Sequence, residues 1–167
     1  YGISAYGLAN QLDISNSQAK EYINKYFQQY PGIKEYMNLT IEFCRRNRFV
    51  MTPFGRRIFI PFINDKMAVR RNFGERSAIN APIQGGAADL IKKAMIKVSD
   101  FIFEKKLRTR MLLQVHDELI FEVPIDELKY VPKKIANIME KAHGPSINFS
   151  VPLKADLGYG RSWSDAH

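Results

Sequence analysis

The sequence predicts an α+β fold with an antiparallel sheet. Two short pairs of apolar runs, at 49–61 and 111–123, read as hairpins. Segments of helical periodicity precede, separate and follow them. The resulting order of helices, hairpin, helix, hairpin, helix and strand segregates the two kinds of element.

Residues 2–12 read as a short helix, and 13–17 as a polar break in which Ser15 and Gln18 have capping-box spacing. The next helix carries Ala19, Tyr22, Ile23, Tyr26, Phe27 and Tyr30 on one stripe, which reads as core. Pro31-Gly32 interrupts it, and a further helix runs to about Arg46 with Ile33, Met37, Ile41 and Cys44 as its apolar positions. The stretch FVMTPFGRRIFIP, 49–61, forms a hairpin turned by Pro53-Phe54-Gly55. From about Val69 to Lys105 the pattern is a long helix with Ala87, Ile91, Met95, Val98 and Ile102 facing a core. Pro82 inside it removes the bond to the Ala78 carbonyl and is expected to kink it. A second hairpin spans 111–124, both strands reading as buried. Residues 126–142 follow as an amphipathic helix with Leu128, Val131, Ile135, Ile138 and Met139, and 149–157 as a last strand.

The chain has 167 residues, 46% of them hydrophobic, enough for one domain or a large piece of one. No apolar run reaches the length of a membrane span, and no signal-peptide pattern is present. A lone cysteine, Cys44, suits a reducing compartment, so a cytoplasmic location is expected. The chain starts at Tyr1 rather than Met and reads as a fragment of something longer. His143 and His167 read as surface residues without a role.

The net charge is +8, which favours a polyanionic partner. Eight of the eleven arginines fall between Arg45 and Arg76. They form either a solvated basic face or a phosphate-tracking one. Arg56 and Arg57 follow the first hairpin turn, and one of the two points to solvent or phosphate whichever way the strand faces.

Two constellations carry chemistry. His116, Asp117 and Glu118 occupy the tip between two apolar strands, without glycine or proline. This is either an ordinary polar hairpin end, with Asp117 taking the left-handed position, or a carboxylate held on a rigid sheet for Mg²⁺. One such pair rarely makes a metal site alone, and a two-metal site needs a further carboxylate from elsewhere. Arg76, Asn80 and Gln84 are spaced i, i+4, i+8 and share a helix face. They are either a polar face in solvent or a row of donors for minor-groove acceptors, which every base pair presents in nearly the same places.

Taken together, ERSAINAPIQG (75–85) and LLQVHDELIFEVP (112–124) closely resemble the family A DNA polymerases of the bacterial polymerase I type. YGISAYGLANQL (1–12), YFQQYPGIKEYM (26–37), TPFGRRIFIP (52–61) and AADLIKKAM (87–95) support the likeness, which covers essentially the whole chain in one unbroken order. The resemblance implies a partial right-hand polymerase fold: an antiparallel palm sheet packed against long helices. Residues 1–48 would end the fingers and lead back to the palm. Residues 49–167 would be palm, including the long helix 69–105 and a catalytic hairpin at 111–124.

It implies roles as well. Asp117 corresponds to the second palm aspartate, a ligand of catalytic Mg²⁺, and Glu118 to its less essential acidic neighbour. His116 and Gln114 would lie near the primer. Arg76, Asn80 and Gln84 would contact primer–template DNA, and Tyr1 would end the helix that covers the new base pair. Where the family often reads Gln-Gly-Thr, this chain has Gln84-Gly85-Gly86.

The implied partners are primer–template DNA, deoxynucleoside triphosphates and a missing N-terminal part of the same chain, with no membrane. The first catalytic aspartate and the triphosphate-binding Lys and Arg would precede residue 1. The intact enzyme would use two Mg²⁺ ions. The isolated chain is expected to hold Mg²⁺ poorly and to be inactive by itself. The rival functions are a non-catalytic nucleic-acid-binding module, which needs no Asp117, and a metal-dependent nuclease, which has no evident use for the Arg76–Gln84 face.

Overall fold

The computed structural model describes residues 2–166. It is α+β, with helices and two separate two-stranded antiparallel sheets. Tyr1 and His167, both singled out in the sequence, lie outside the described residues. The chain divides into two compact units, Tyr1–Gln84 and Gly85–His167.

The first unit begins with α1, Ala5–Leu12, where the Ser4 hydroxyl accepts the Gly7 N–H at 3.1 Å. Helix α2, Asn16–Gln29, opens with the expected capping box. Ser15 N–H donates to Gln18 Oε1 at 3.0 Å, and Gln18 N–H donates to Ser15 Oγ at 3.2 Å. Because Ser15 is the cap, the polar break ends two residues earlier than the sequence reading placed it. Helix α3, Pro31–Asn47, starts on Pro31, whose missing N–H costs nothing in a first turn. It is closed by Arg48 in the left-handed region at φ 67°.

The hairpin that follows pairs β1, Phe49–Met51, with β2, Arg57–Phe59. Val50 and Ile58 face inward and join Cys44, Ile60, Ile63, Ala78 and Ala81 in the core of this unit. Burial also raises the pKa of the Cys44 thiol. Gly74, on the following helix, is needed by the packing: a Cβ there would lie 2.8 Å from Ile63 N and from the Phe62 carbonyl carbon. Tyr36 Oη donates to the Ile79 carbonyl at 2.9 Å, and Arg45 pairs with Glu75 at 2.6 Å. The aromatic stripe of α2 is not core as expected. Ala19 is fully buried, but Tyr22, Tyr26 and Tyr30 are each about half exposed. Helical spacing identifies a common face without identifying what covers it.

Helix α4, Ala68–Glu104, is 37 residues long and continues through Pro82 from the first unit into the second. Val98 is fully buried and Ile91, Met95 and Ile102 are half-buried, as the stripe requires, but Ala87 is exposed and Ala94 is buried.

In the second unit β3, Arg110–Val115, pairs with β4, Glu118–Glu122. Met111 and Phe121 pack with Val98, Val131 and Ile135 into a second core. The strands are less buried than their composition suggests, with Leu112 and Leu113 both exposed. A register shift between Met111 and Leu113 explains part of this, since it moves every residue from Leu113 to the tip onto the face opposite to that of unbroken alternation.

Helix α5 spans Val131–Glu140 rather than 126–142. Pro132 in its first turn sets the start, and 125–130 are turns in which Leu128 stays exposed. The expected last strand, 149–157, is not formed. No neighbouring strand pairs with it among the described residues, and Pro152 lacks a ladder donor. His143 is not a bare surface residue: it is half-buried, its Nδ1 is 2.7 Å from the Ile147 carbonyl, and its ring packs edge-on against Phe149. A last short helix, α6, covers Trp163–Ala166.

Candidate active site and nucleic-acid interface

The β3–β4 connection is as short as a hairpin allows. Val115 pairs with Glu118, leaving His116 and Asp117 as a two-residue loop. Such loops need positive φ at one or both central positions to match the strand twist. The residue that supplies it is His116, at φ 51°, not Asp117 as the sequence suggested. A non-glycine residue in that region is strained, and strain of this kind gathers at functional sites. The Gln114 side-chain amide donates to the His116 carbonyl, bracing the turn from within. Gln114, His116 and Asp117 are exposed, and Glu118 is half-buried at the first position of β4.

The hairpin is anchored at its other end by a group that sequence reading missed. Glu127 is buried, and its carboxylate accepts the Thr109 hydroxyl at 2.6 Å, the Arg108 N–H at 2.9 Å and the Thr109 N–H at 3.0 Å. These bonds, the Thr109 hydroxyl first, hold its pKa below the usual glutamate range. Arg108 adds a side-chain ion pair to Asp126. Nothing in the spacing of Thr109 and Glu127 signals this clamp. It exists only once the turns at 125–130 fold back on the start of β3.

Asp117 and Glu118 are hard oxygen donors suited to Mg²⁺, but they are two groups where a complete site needs more. Among the described residues no set of three or more His, Cys, Asp or Glu side chains gathers where a metal could be held.

Arg76, Asn80 and Gln84 lie on α4 within the first unit. Arg76 and Gln84 are exposed and Asn80 is half-buried. The stem of Arg76 lies against Gly2, whose φ is 73°: a Cβ on Gly2 would sit 3.3 Å from Arg76 Cγ. The nearby arginines are partly committed. Besides the Arg45–Glu75 pair, Arg70 lies 3.8 Å from Asp65, and Arg71 donates to the Asp65 carbonyl at 3.2 Å. Arg56 and Arg57 are both exposed, and the Arg57 guanidinium lies over the Phe49 ring, 4.9 Å from its centroid. The sequence-predicted residues thus fall into two groups, the hairpin set in one unit and the helix and arginine set in the other.

An α+β chain with carboxylates at a hairpin tip in one unit and a concentration of arginines in the other has the parts of a nucleic-acid-handling protein. Its sequence matches DNA polymerase family A over residues 1–165. DNA polymerase I of Rhizobium leguminosarum is 49% identical over 169 residues, covering 100% of this chain and 17% of that protein. DNA polymerase I of Geobacillus stearothermophilus is 45% identical over 166 residues, covering 99% of this chain and 18% of the relative. Among solved structures, the POL domain of Pol1 from M. smegmatis, in complex with DNA primer-template and dNTP, superposes with a TM-score of 0.92 at 43% identity. That match covers 99% of this chain and 29% of the other. The chain belongs to DNA polymerase family A. It spans less than a fifth of these curated relatives. Family membership points, in general terms, to a divalent-metal requirement. Among the described residues no helix is long and apolar enough to cross a membrane.

Proposed function

We propose that this chain is the C-terminal palm and partial fingers portion of a cytoplasmic DNA-templated DNA polymerase. In this reading 1–48 belongs to the end of the fingers and 49–167 to the palm. The substrates are a primer–template DNA and deoxynucleoside triphosphates. The reaction is attack of the primer 3′-OH on the α-phosphate with release of pyrophosphate. The observation that supports it best is the strained, braced tip at His116-Asp117 in a chain that matches family A polymerases along its length.

Asp117 holds a catalytic Mg²⁺, with Glu118 in a supporting role. When bound, Mg²⁺ stabilises developing charge on phosphoryl oxygens and makes the attacking hydroxyl a better nucleophile. The chain's own contribution is positional. The β3–β4 pairing and the Gln114 brace hold the backbone of the turn from which the Asp117 side chain projects. His116 and Gln114 face the primer end. Arg76, Asn80 and Gln84 donate to minor-groove acceptors and so test base-pair shape independently of sequence. Tyr1 covers the new base pair. Arg56 and Arg57 track the backbone.

Primer extension by the full-length protein is the test. Asp117→Asn keeps the shape of the side chain and removes its charge. It is expected to lower extension by on the order of 10²–10³-fold or more while DNA binding persists. Arg76→Ala and Gln84→Ala are each expected to cost roughly 1–3 kcal/mol in extension, equally on all template sequences. Extension by Asp117→Asn at the parent rate would end the metal-ligand reading.

A further inference from the structure

The β1–β2 hairpin has an outward face whose aromatic row the proposed function does not use. Val50 and Ile58 turn into the core, so by strand alternation Phe49, Met51, Arg57 and Phe59 share the outward side. A solvated sheet face normally carries polar residues. Here Phe49 stands directly opposite Phe59, and Met51 directly opposite Arg57. Phe59 is 68% exposed and Met51 46%. Phe43 of α3 extends the row: its ring meets Phe49 edge-on at 5.7 Å, and Phe49 meets Phe59 at 5.8 Å. Arg57 lies over Phe49 at 4.9 Å.

The charge around this row is one-sided. Residues 42–59 hold Arg45, Arg46, Arg48, Arg56 and Arg57 against a single acid, Glu42. Arg45 is taken up by Glu75, and Glu42 lies 3.7 Å from Arg46 in a pair exposed on both sides, which screens weakly held charge poorly from a polyanion. A partner for this face must therefore offer planar apolar surface and negative charge at short, regular intervals. An unpaired nucleic-acid strand does both: its bases stack on exposed rings, and its phosphates meet the guanidinium groups. A duplex does not fit, because its bases are already stacked on one another.

We propose that the outward face of the β1–β2 hairpin is a binding platform for single-stranded nucleic acid. Phe59 is its exposed stacking surface, Phe49 and Phe43 support it from beneath, and Arg57 contacts the flanking phosphate. This rests on the nucleic-acid side of the function proposed above but not on its catalytic side.

The experiment uses the full-length protein and a fluorescein-labelled single-stranded oligothymidylate, with binding read by anisotropy. Phe59 is largely exposed, so Phe59→Ala should leave the thermal midpoint unchanged. It should weaken binding of the single strand by about 5-fold or more, the range of one lost base–aromatic stack, and leave blunt duplex binding as it was. Phe59→Trp should restore single-strand binding, because it restores a ring without adding charge. On the unaltered protein, photocrosslinking an iododeoxyuridine-containing single strand should attach it within 43–59. Unchanged single-strand binding in Phe59→Ala, no recovery in Phe59→Trp, or crosslinks confined to other segments would each overturn the proposal. Asp117→Asn lies outside the platform, so loss of the catalytic reading would leave these measurements unaffected.

Discussion

The β1–β2 hairpin turns through Pro53, Phe54 and Gly55, with glycine at φ 85°, whereas the β3–β4 hairpin turns through His116 and Asp117 alone, with a histidine at φ 51°. Both connect antiparallel strands whose twist demands a left-handed residue near the turn. The first uses the residue type that adopts that conformation without penalty, and a Cβ on Gly55 would meet nothing within 4 Å. The second keeps a side chain in the strained position and braces it with the Gln114 amide and, at the far end of the strand, with the Glu127 clamp. Of the two turns, the one that keeps a side chain in the left-handed position is the one that carries the proposed site.

The largest test of this contrast is chemical. Asp117→Asn should abolish most extension, on the order of 10²–10³-fold, while Glu118→Gln loses far less. Equal losses in the two variants would mean that the tip does not rank its carboxylates as proposed.

Denaturant unfolding reads the backbone strain in the two turns. Gly55→Ala forces a Cβ into a left-handed turn and should cost roughly 1–2 kcal/mol. His116→Gly removes the corresponding strain but loosens the unfolded chain, so the two effects offset and stability should stay within about 1 kcal/mol of the parent. Its extension rate should still fall, because the His116 side chain is gone. A loss of stability in His116→Gly comparable to that in Gly55→Ala would remove the argument that the tip is strained for function.

The smallest effect concerns the Glu127 anchor of the second hairpin. The folded-state pKa of Glu127 is lowered, so its stabilising contribution is present above the ordinary glutamate pKa and fades as pH falls through the lower folded-state value. Thermal midpoints of the parent and Glu127→Gln should differ at neutral pH, with the parent higher, and converge in acid. A gap that stays constant down to strongly acidic pH would assign the clamp to packing rather than charge.

Much of the local structure was legible before folding. Ser15 with Gln18 announced a capping box, Pro31-Gly32 a helix break, and Pro53-Phe54-Gly55 a turn, because each acts through neighbours within a few residues. The positions of both hairpins and the long helix followed from periodicity. The proposed site residues stand out in the sequence as a pattern of residue types and, through resemblance, as a family motif.

What tertiary structure alone decided is of longer range. The spacing of Tyr22, Tyr26 and Tyr30 marks a shared face, but only packing leaves that face half exposed. Residues 149–157 have strand composition, yet a strand needs a neighbour for its N–H and C=O groups, and composition cannot supply one. The shift between Met111 and Leu113, the left-handed His116 and the Glu127–Thr109 clamp are likewise set by how segments distant in sequence meet. The sequence by itself determined which groups are available and which local turns they favour. Their exposure, register and strain are properties of contacts between segments, which no single segment encodes.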